Sequence, residues 1–231
     1  MANILIIGGS SGIGEQLTLQ LATAGNNVYA SYNTKILTST TKNLTYFKLN
    51  VLDEDVDLSF LPNEIHGLVY CPGSINLKPF DRIKPADFEL DYQLQVIGVI
   101  KIIQQVLPKM KISLNASIIL FSTVAVQTGL PFHTQVAASK GAIEGLTKAL
   151  AAEFAPKIRV NTIAPSLTNT PLTNSLINSE QKMDANAQRH PLKRIGTAAD
   201  IANMAEYLLS EKASWITGQI FHVDGGISAI K

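Results

Sequence analysis

Residues 3–14 read NILIIGGSSGIG, in which five strand-forming residues run directly into a turn that contains four glycines. The residues that follow have helical periodicity, with apolar side chains at Ile13, Leu17 and Leu21. A strand that feeds a turn without side-chain bulk brings the backbone close to a bound anion, and the next helix directs its unpaired N–H groups at that anion. The stretch therefore predicts a phosphate or pyrophosphate site, against the alternative of a tight strand-to-helix turn without a ligand.

The composition is typical of a globular protein. The 231 residues are 46% hydrophobic and 16% charged, which suits one domain with a sizeable core. A formal net charge of +1 gives no reason to expect nucleic acid as a partner. The single cysteine, Cys71, excludes an internal disulfide and a pair of cysteine metal ligands, and it fits a reducing compartment. Since no leader or membrane span is recognisable, we expect a cytoplasmic protein that does not associate with membranes.

Short apolar strand patterns alternate with helical periodicity along the whole chain. Strands are predicted over 3–7, 28–32, 44–49, 67–71, 117–122, 158–163 and 219–223, and helices from the glycine turn to residue 24 and over 85–110, 136–155 and 197–210. Pro108 is expected to kink or end the second helix. The alternation predicts an α/β fold, a doubly wound parallel sheet (Rossmann fold) with three α/β/α layers, as a single domain over 1–231.

Residues 170–195 are a candidate substrate lid. From Thr170 to about Arg189 the chain is polar without strong periodicity, and it lies between a predicted strand and the next helix. Ligands of such sheets bind beyond the carboxyl ends of the strands, so this segment is placed to cover a substrate.

Several separated segments resemble the short-chain dehydrogenase/reductase (SDR) family, in family order and over almost the whole length. They are 8–14, 138–142, 159–165, 190–196 and 217–226. The chain is most similar to the 3-oxoacyl-carrier-protein reductase-like branch. The resemblance implies an NAD(P)(H)-dependent oxidoreductase for a small carbonyl, alcohol or activated enoyl substrate. It also implies a homotetramer or homodimer.

The resemblance also implies which residues contact the cofactor. They are Gly8, Ser10, Ser11, Gly12, Ile13, Gly14, Asn33, Asn50, Val51, Cys71, Pro72, Gly73, Lys140, Pro165, Ser166, Leu167, Thr168 and Thr170. The chain departs from the family at three of these places. Asn50 replaces the usual aspartate, Ser166 replaces the usual glycine, and Tyr70, Cys71 and Pro72 stand where the family has Asn-Asn-Ala.

The end of the second predicted strand favours NADP(H) over NAD(H). In this fold an acidic residue there binds the ribose 2′-hydroxyl of NAD, whereas a basic residue accommodates the 2′-phosphate of NADP. Tyr32 is followed by Asn33, Thr34 and Lys35, without a carboxylate, and Ser10 is placed to approach the same phosphate. The alternative is that Lys35 is solvated and makes no contact.

The catalytic residues implied by the resemblance are altered. The family uses Asn, Ser, Tyr and Lys, and the corresponding positions hold Gln95, Thr123, Val136 and Lys140. Hydride delivered to a carbonyl carbon leaves an alkoxide that needs a proton, which the family's tyrosine gives when a cation lies beside it. Valine has no proton to give, so the usual mechanism does not apply.

Three alternatives remain for the proton donor. His133 precedes Lys140 by seven residues, the wider spacing at which enoyl reductases of this family place their tyrosine, and imidazole titrates near neutrality. The site also resembles the dienoyl-CoA reductases, which lack the tyrosine beside the lysine. Tyr92, one helical turn before Gln95, is the third. The alternative function is a dinucleotide-binding sensor or assembly subunit with little or no catalysis.

Overall fold

Seven parallel strands form the central sheet of the computed structural model, which describes residues 1–34 and 36–230. The strands in chain order are β1 (Asn3–Ile7), β2 (Asn27–Tyr32), β3 (Leu44–Lys48), β4 (Gly67–Tyr70), β5 (Ala116–Phe121), β6 (Ile158–Pro165), β7 (Thr168–Asn169), β8 (Gly196–Thr197) and β9 (Ile220–Val223). The large sheet has the order β3-β2-β1-β4-β5-β6-β9, and β7 pairs with β8 separately. The direction of winding reverses at β1, which lies between β2 and β4. Because ligands of such sheets bind at the reversal, the groove beyond β1 and β4 is the expected site.

Helices cover both faces of the sheet. They are α1 (Gly12–Thr23), α2 (Pro85–Tyr92), α3 (Gly98–Met110), α4 (Ala125–Thr128), α5 (Thr134–Phe154), α6 (Glu180–Gln188) and α7 (Ala198–Leu209). One apolar core lies under α3 and α5, and the other lies under α1 and α7. Strand β5 is buried at all six positions, as expected for a parallel strand covered on both faces. The predicted doubly wound, three-layer α/β fold is confirmed.

The helix predicted over 85–110 is interrupted in its middle. A π-helical turn, Gln93–Ile97, separates α2 from α3. Such turns widen a helix locally and occur often at functional sites. Pro108 does not end the helix, because α3 continues to Met110. The proline has no N–H to donate to the carbonyl four residues earlier, and α3 ends two residues after it.

The candidate lid has more regular structure than the sequence indicated. It contains a 3₁₀ helix, Pro171–Leu176, and the helix α6. No residue of α6 is buried, so the segment lacks the apolar periodicity by which helices are recognised. The Ser179 side chain accepts a hydrogen bond from the Lys182 backbone N–H and caps the helix. In residues 1–34 and 36–230, no helix has the length and apolar character needed to span a bilayer.

Candidate active site

A groove of about 530 Å³ opens at the carboxyl ends of β1, β2 and β4. Among the residues predicted to contact a cofactor, its wall contains Gly8, Ser10, Ser11, Gly12, Ile13, Gly14, Asn33, Asn50, Val51, Cys71, Pro72, Gly73 and Thr170. The sequence did not single out Leu49, Leu52, Leu94, Pro171 and Leu172, which also line it. The structure thus brings six separate segments of the chain to one groove.

The glycine turn forms one end of this groove. Gly8 and Gly12 have φ angles of +78° and +54°, a left-handed conformation that favours glycine. An ideal Cβ on Gly14 would lie 2.2 Å from the Gly8 backbone oxygen, so α1 packs directly against the end of β1. The Ser11 side chain makes no capping hydrogen bond at the start of α1. The geometry fits an anion at the helix N-terminus.

Ser31, which the sequence analysis missed, holds the turn in place. Its Oγ accepts a hydrogen bond from the Gly8 backbone N–H at 2.8 Å, and the side chain is buried. The available signal was a serine next to the apolar Ala30 in the second strand. Beyond it, Asn33 and Thr34 line the groove without a carboxylate, while Lys35 lies outside the described residues.

Asn50 uses its side chain to shape a turn. Its Nδ2 donates to Asp53 Oδ1 at 2.7 Å, and its Oδ1 accepts from the Leu52 backbone N–H at 3.2 Å. Both polar atoms of the amide therefore have local partners. The structure places Asn50 in the groove wall, with its amide engaged in this turn.

Gln95 and Lys140 meet beside Gly73. An ideal Cβ on Gly73 would lie 3.4 Å from Gln95 Oε1 and 3.8 Å from Lys140 Nζ. Gln95 Oε1 is buried and has no hydrogen-bond partner among the residues that the structure describes. A buried acceptor without a donor is costly, so it marks a place where a ligand hydroxyl or water belongs. An acceptor and an amine donor side by side match a ribose hydroxyl, which fits a nicotinamide dinucleotide in the groove.

Burial changes the acid–base chemistry at this point. Lys140 is buried, which lowers its pKa from 10.5 to about 8, while the negative charge of Asp91 acts in the opposite direction. Burial raises the pKa of the Cys71 thiol to about 12, although Lys140 opposes that change. At neutral pH the site therefore contains a protonated amine and a neutral thiol.

Thr123 lies just after β5, and its hydroxyl oxygen accepts one hydrogen bond. Its Oγ1 accepts from the Ala125 backbone N–H at 3.3 Å, so its own proton is still available to a substrate oxygen. The neighbouring Ser122 is buried and donates to Glu144 Oε1 at 2.6 Å. Of the two hydroxyls, Thr123 is the one that is free to donate.

His133 and Val136 lie at the start of α5. The helix begins at Thr134, and His133 is its N-cap residue. His133 Nδ1 lies 2.7 Å from the Pro131 carbonyl oxygen, and since a carbonyl only accepts, Nδ1 carries the proton. At about 100° per residue, both positions fall on nearly the same helical face as Lys140. His133 precedes Lys140 by about 10 Å along the helix axis. His133 is not part of the groove wall, and its catalytic role stays a prediction.

Residues of the chain after β6 line two different cavities. Ser166 and Leu167 line one of them, which has a volume of about 230 Å³. Thr168 is buried and donates to the Ser166 carbonyl oxygen at 3.0 Å, whereas Thr170 reaches the groove. Pro165 and Lys140 are likewise outside the groove wall. The cofactor contacts expected of 165–168 and of Lys140 stay predictions.

His190 connects this loop to the candidate lid. Its Nε2 lies 2.8 Å from Ser166 Oγ, and its Nδ1 lies 2.8 Å from the Asn186 carbonyl oxygen on α6. Because the carbonyl accepts from Nδ1–H, Ser166 donates to Nε2 when the ring is neutral. The ring is buried. The end of α6 is thus fixed to the loop that leaves β6.

Comparison with known proteins agrees with this geometry. The family model described as enoyl-(acyl carrier protein) reductase matches residues 8–228. The 3-oxoacyl-[acyl-carrier-protein] reductase FabG of Thermotoga maritima is 33% identical over 238 residues, covering 96% of each chain. The chain belongs to the short-chain dehydrogenase/reductase family. Within the SDR family it is FabG-like, and a FabG of Staphylococcus epidermidis is 31% identical over 96% of the chain.

Solved SDR structures have the same fold. A short-chain dehydrogenase/reductase from Brucella melitensis has a TM-score of 0.89 and 27% identity, covering 98% of this chain and 96% of that one. The structure of ElxO with NADP bound has a TM-score of 0.88 and 27% identity, and the match covers 98% of this chain and 99% of ElxO. The named relatives are oxidoreductases, and this chain is an SDR protein of the oxidoreductase type.

Proposed function

We propose that the protein is an NADP(H)-dependent oxidoreductase that acts on a small carbonyl, alcohol or activated enoyl substrate through an altered active site. The observation that carries the proposal is the convergence of Gln95 Oε1 and Lys140 Nζ beside Gly73. They meet where the wall of the glycine-turn groove ends. Lys140 and Thr123 are residues that a protein specialised for binding alone need not retain.

The groove residues, and Gln95 and Lys140 beside them, have distinct roles in holding the cofactor. The glycine turn and the first N–H groups of α1 hold the pyrophosphate. Lys140 Nζ donates to a ribose hydroxyl, and Gln95 Oε1 accepts from it. Ser10, Asn33 and Thr34 hold the 2′-phosphate, and the preference for NADP(H) rests on the absence of a carboxylate at 31–34. The similar structure of ElxO with NADP bound supports this preference.

Hydride transfer leaves the substrate in need of a proton, and the altered site lacks the family's usual donor. When bound, a reduced nicotinamide supplies a hydride to the substrate carbon. The electron pair of the reduced double bond then remains on the substrate oxygen, or on the second carbon of an enoyl group, and takes a proton from the protein. The Thr123 hydroxyl donates a hydrogen bond to that oxygen, while Val136 contributes no proton.

Besides Tyr92, which is exposed on α2, two groups can give the proton. His133 is the candidate from sequence spacing, and its Nδ1–H is fixed by Pro131, which leaves Nε2 to carry the exchangeable proton. Lys140 is the second candidate, because its ammonium lies beside the groove and its pKa of about 8 is near the working pH.

The proposal also includes a substrate lid and assembly of the chain into an oligomer. Thr170 and Pro171 line the groove and lie against Gly12, where an ideal Cβ would be 3.3 Å from Thr170 Cβ. This contact supports the proposal that residues 170–195 cover a substrate. From the family resemblance we infer a cytoplasmic homotetramer or homodimer joined through the long helices and the C-terminal strand.

Val136 favours a second function. A buried valine in the first turn of α5 leaves the site without the family's usual acid. A dinucleotide-binding sensor or assembly subunit with little turnover would retain the same groove.

The test is NADPH oxidation with a panel of carbonyl and enoyl substrates. Acyl thioesters come first, since the family model and the FabG relatives are named for acyl-carrier-protein reductases. Turnover that is lost in Lys140→Met and kept in Lys148→Met, an exposed lysine on the same helix, supports the oxidoreductase. Tight NADPH binding without oxidation on any substrate would contradict it and support the sensor.

A further inference from the structure

Asp91 is a buried carboxylate at the junction of three parts of the fold. It lies on α2 and is only 3% exposed. The Ser74 hydroxyl, from the segment after β4, donates to its Oδ1. The Ser139 hydroxyl, from α5, donates to its Oδ2 at 2.6 Å. Gln95 Nε2 donates to both oxygens, at 2.7 and 2.8 Å. A carboxylate with this many donors is a built feature of the site rather than a surface charge.

The contact with Gln95 determines what the amide presents to the groove. A carboxylate only accepts, so the amide must turn Nε2 towards Asp91. Its Oε1 then points away from Asp91, and it is this atom that lies unpaired beside Gly73 and Lys140. Asp91 thus makes Gln95 an acceptor at the cofactor end of the site.

Asp91 is also the negative charge that acts on Lys140. The titratable groups to consider are Asp91 on α2, Cys71 in the segment after β4, and Glu144, four residues along α5 from Lys140. Asp91 Oδ2 accepts from Ser139, the residue that precedes Lys140 on α5. Cys71 is a neutral thiol at neutral pH, because burial raises its pKa. Glu144 is engaged by Ser122 and by Gln127 Nε2, at 2.6 and 2.8 Å. Within the described part of the chain, Asp91 is therefore the carboxylate whose charge opposes the burial of Lys140.

We propose that Asp91 is a positioning residue of the active site: it turns the Gln95 acceptor towards Gly73 and keeps Lys140 as an ammonium ion. Because residue 136 is valine, no phenol lies there to interact with the Lys140 ammonium. The buried Asp91 carboxylate supplies the counter-charge. The role in holding the cofactor rests on the proposed function, whereas the effect on Lys140 does not.

The direct test is the ¹³Cε chemical shift of Lys140, followed over pH in lysine-labelled protein and assigned with Lys140→Arg. Asp91→Asn keeps the size and removes the charge, so the Lys140 midpoint should fall by about one unit or more. Asp91→Glu keeps the charge, so its Lys140 midpoint should lie close to that of the unaltered protein. A purely structural role does not predict this rescue. An unchanged midpoint in Asp91→Asn would overturn the proposal.

Glu144→Gln is the matched control. It is the same carboxylate-to-amide change at a side chain that is 6% exposed, on the helix that carries Lys140. It should leave the Lys140 midpoint unchanged, and an equal fall in this variant would overturn the proposal. If Asp91→Asn does not fold, the carboxyl ¹³C shift of Asp91 in the unaltered protein decides: a carboxylate at pH 7 supports the proposal and a neutral acid overturns it.

Cofactor binding gives the second readout. NADPH should bind about tenfold more weakly to Asp91→Asn, because the Gln95 amide loses its fixed orientation. Glu144→Gln should bind as the unaltered protein does, and equal binding by Asp91→Asn contradicts the orienting role. If the unaltered protein binds neither NADPH nor NADH, the proposed function fails, while the Lys140 titration still decides the electrostatic role of Asp91.

Discussion

The backbone oxygen of Gly8 lies 2.2 Å from the position that a Cβ on Gly14 would occupy. The strand and the helix on either side of the turn therefore touch through backbone atoms. This contact determines where the N-terminus of α1 points, and with it the position of the proposed pyrophosphate site.

Gly14→Ala tests this contact. A Cβ that close to a backbone oxygen forces α1 away from β1, so we expect a lower melting temperature and NADPH binding weakened more than about tenfold. Gly145→Ala is the control, because Gly145 lies in α5 with nothing within 4 Å of its ideal Cβ. Alanine there should be neutral or stabilise by up to about 1 kcal/mol. Equal NADPH binding by Gly14→Ala and the unaltered protein would contradict this interpretation.

Val136→Tyr tests whether the site lacks only its proton donor. The new phenol lies four residues before Lys140, one helical turn away, where the ammonium lowers its pKa. Carbonyl reduction with NADPH should appear or increase. Val136→Phe adds the ring without the hydroxyl and should not increase turnover. Equal rates for the two variants would show that the substrate pocket, rather than the missing acid, limits carbonyl reduction.

His133→Ala separates the two proposed proton donors. Loss of a general acid slows turnover by about 10²- to 10⁴-fold, which is the result expected if His133 gives the proton. The measurement is kcat for the best substrate over a range of pH. Normal turnover would eliminate His133 and leave Lys140 as the donor.

Lys140 should make stability depend on pH in the alkaline range. Its folded pKa of about 8 lies below the ordinary 10.5, so between these values the unfolded chain binds more protons than the folded one. Stability therefore rises with pH there. Relative to Lys140→Met, the free energy of unfolding of the unaltered protein should increase by up to about 3 kcal/mol from pH 8 to 10.5. Urea unfolding at both pH values checks this, and a pH-independent difference contradicts the buried amine.

The parts of the fold that the sequence predicted are those with strong local patterns. Residues 3–14 identify the β1–turn–α1 unit, and the buried run of β5 is apolar except for Ser117. Helix α6 was missed because none of its residues is buried, and the π-helical turn because nothing in residues 93–97 distinguishes it from a regular helix.

In the candidate site, too, the parts with a local sequence pattern were predicted and those built from distant segments were not. The glycine turn is local and was predicted, whereas the cluster around Asp91 depends on segments 17 and 48 residues apart. The available signal for Asp91 was an acidic residue four positions before Gln95, on the same helical face. Its hydroxyl partners, Ser74 and Ser139, become visible only when the sheet brings the three segments together.

The most direct test of the central claim is titration of the purified protein with NADPH and NADH, by calorimetry or nucleotide fluorescence. We predict one site per chain and tighter binding of NADPH, with affinity reduced in Gly14→Ala and Lys140→Met and unchanged in Gly145→Ala. Binding of neither nucleotide would contradict the assignment of the groove. Tighter binding of NADH would contradict the proposed preference for the 2′-phosphate.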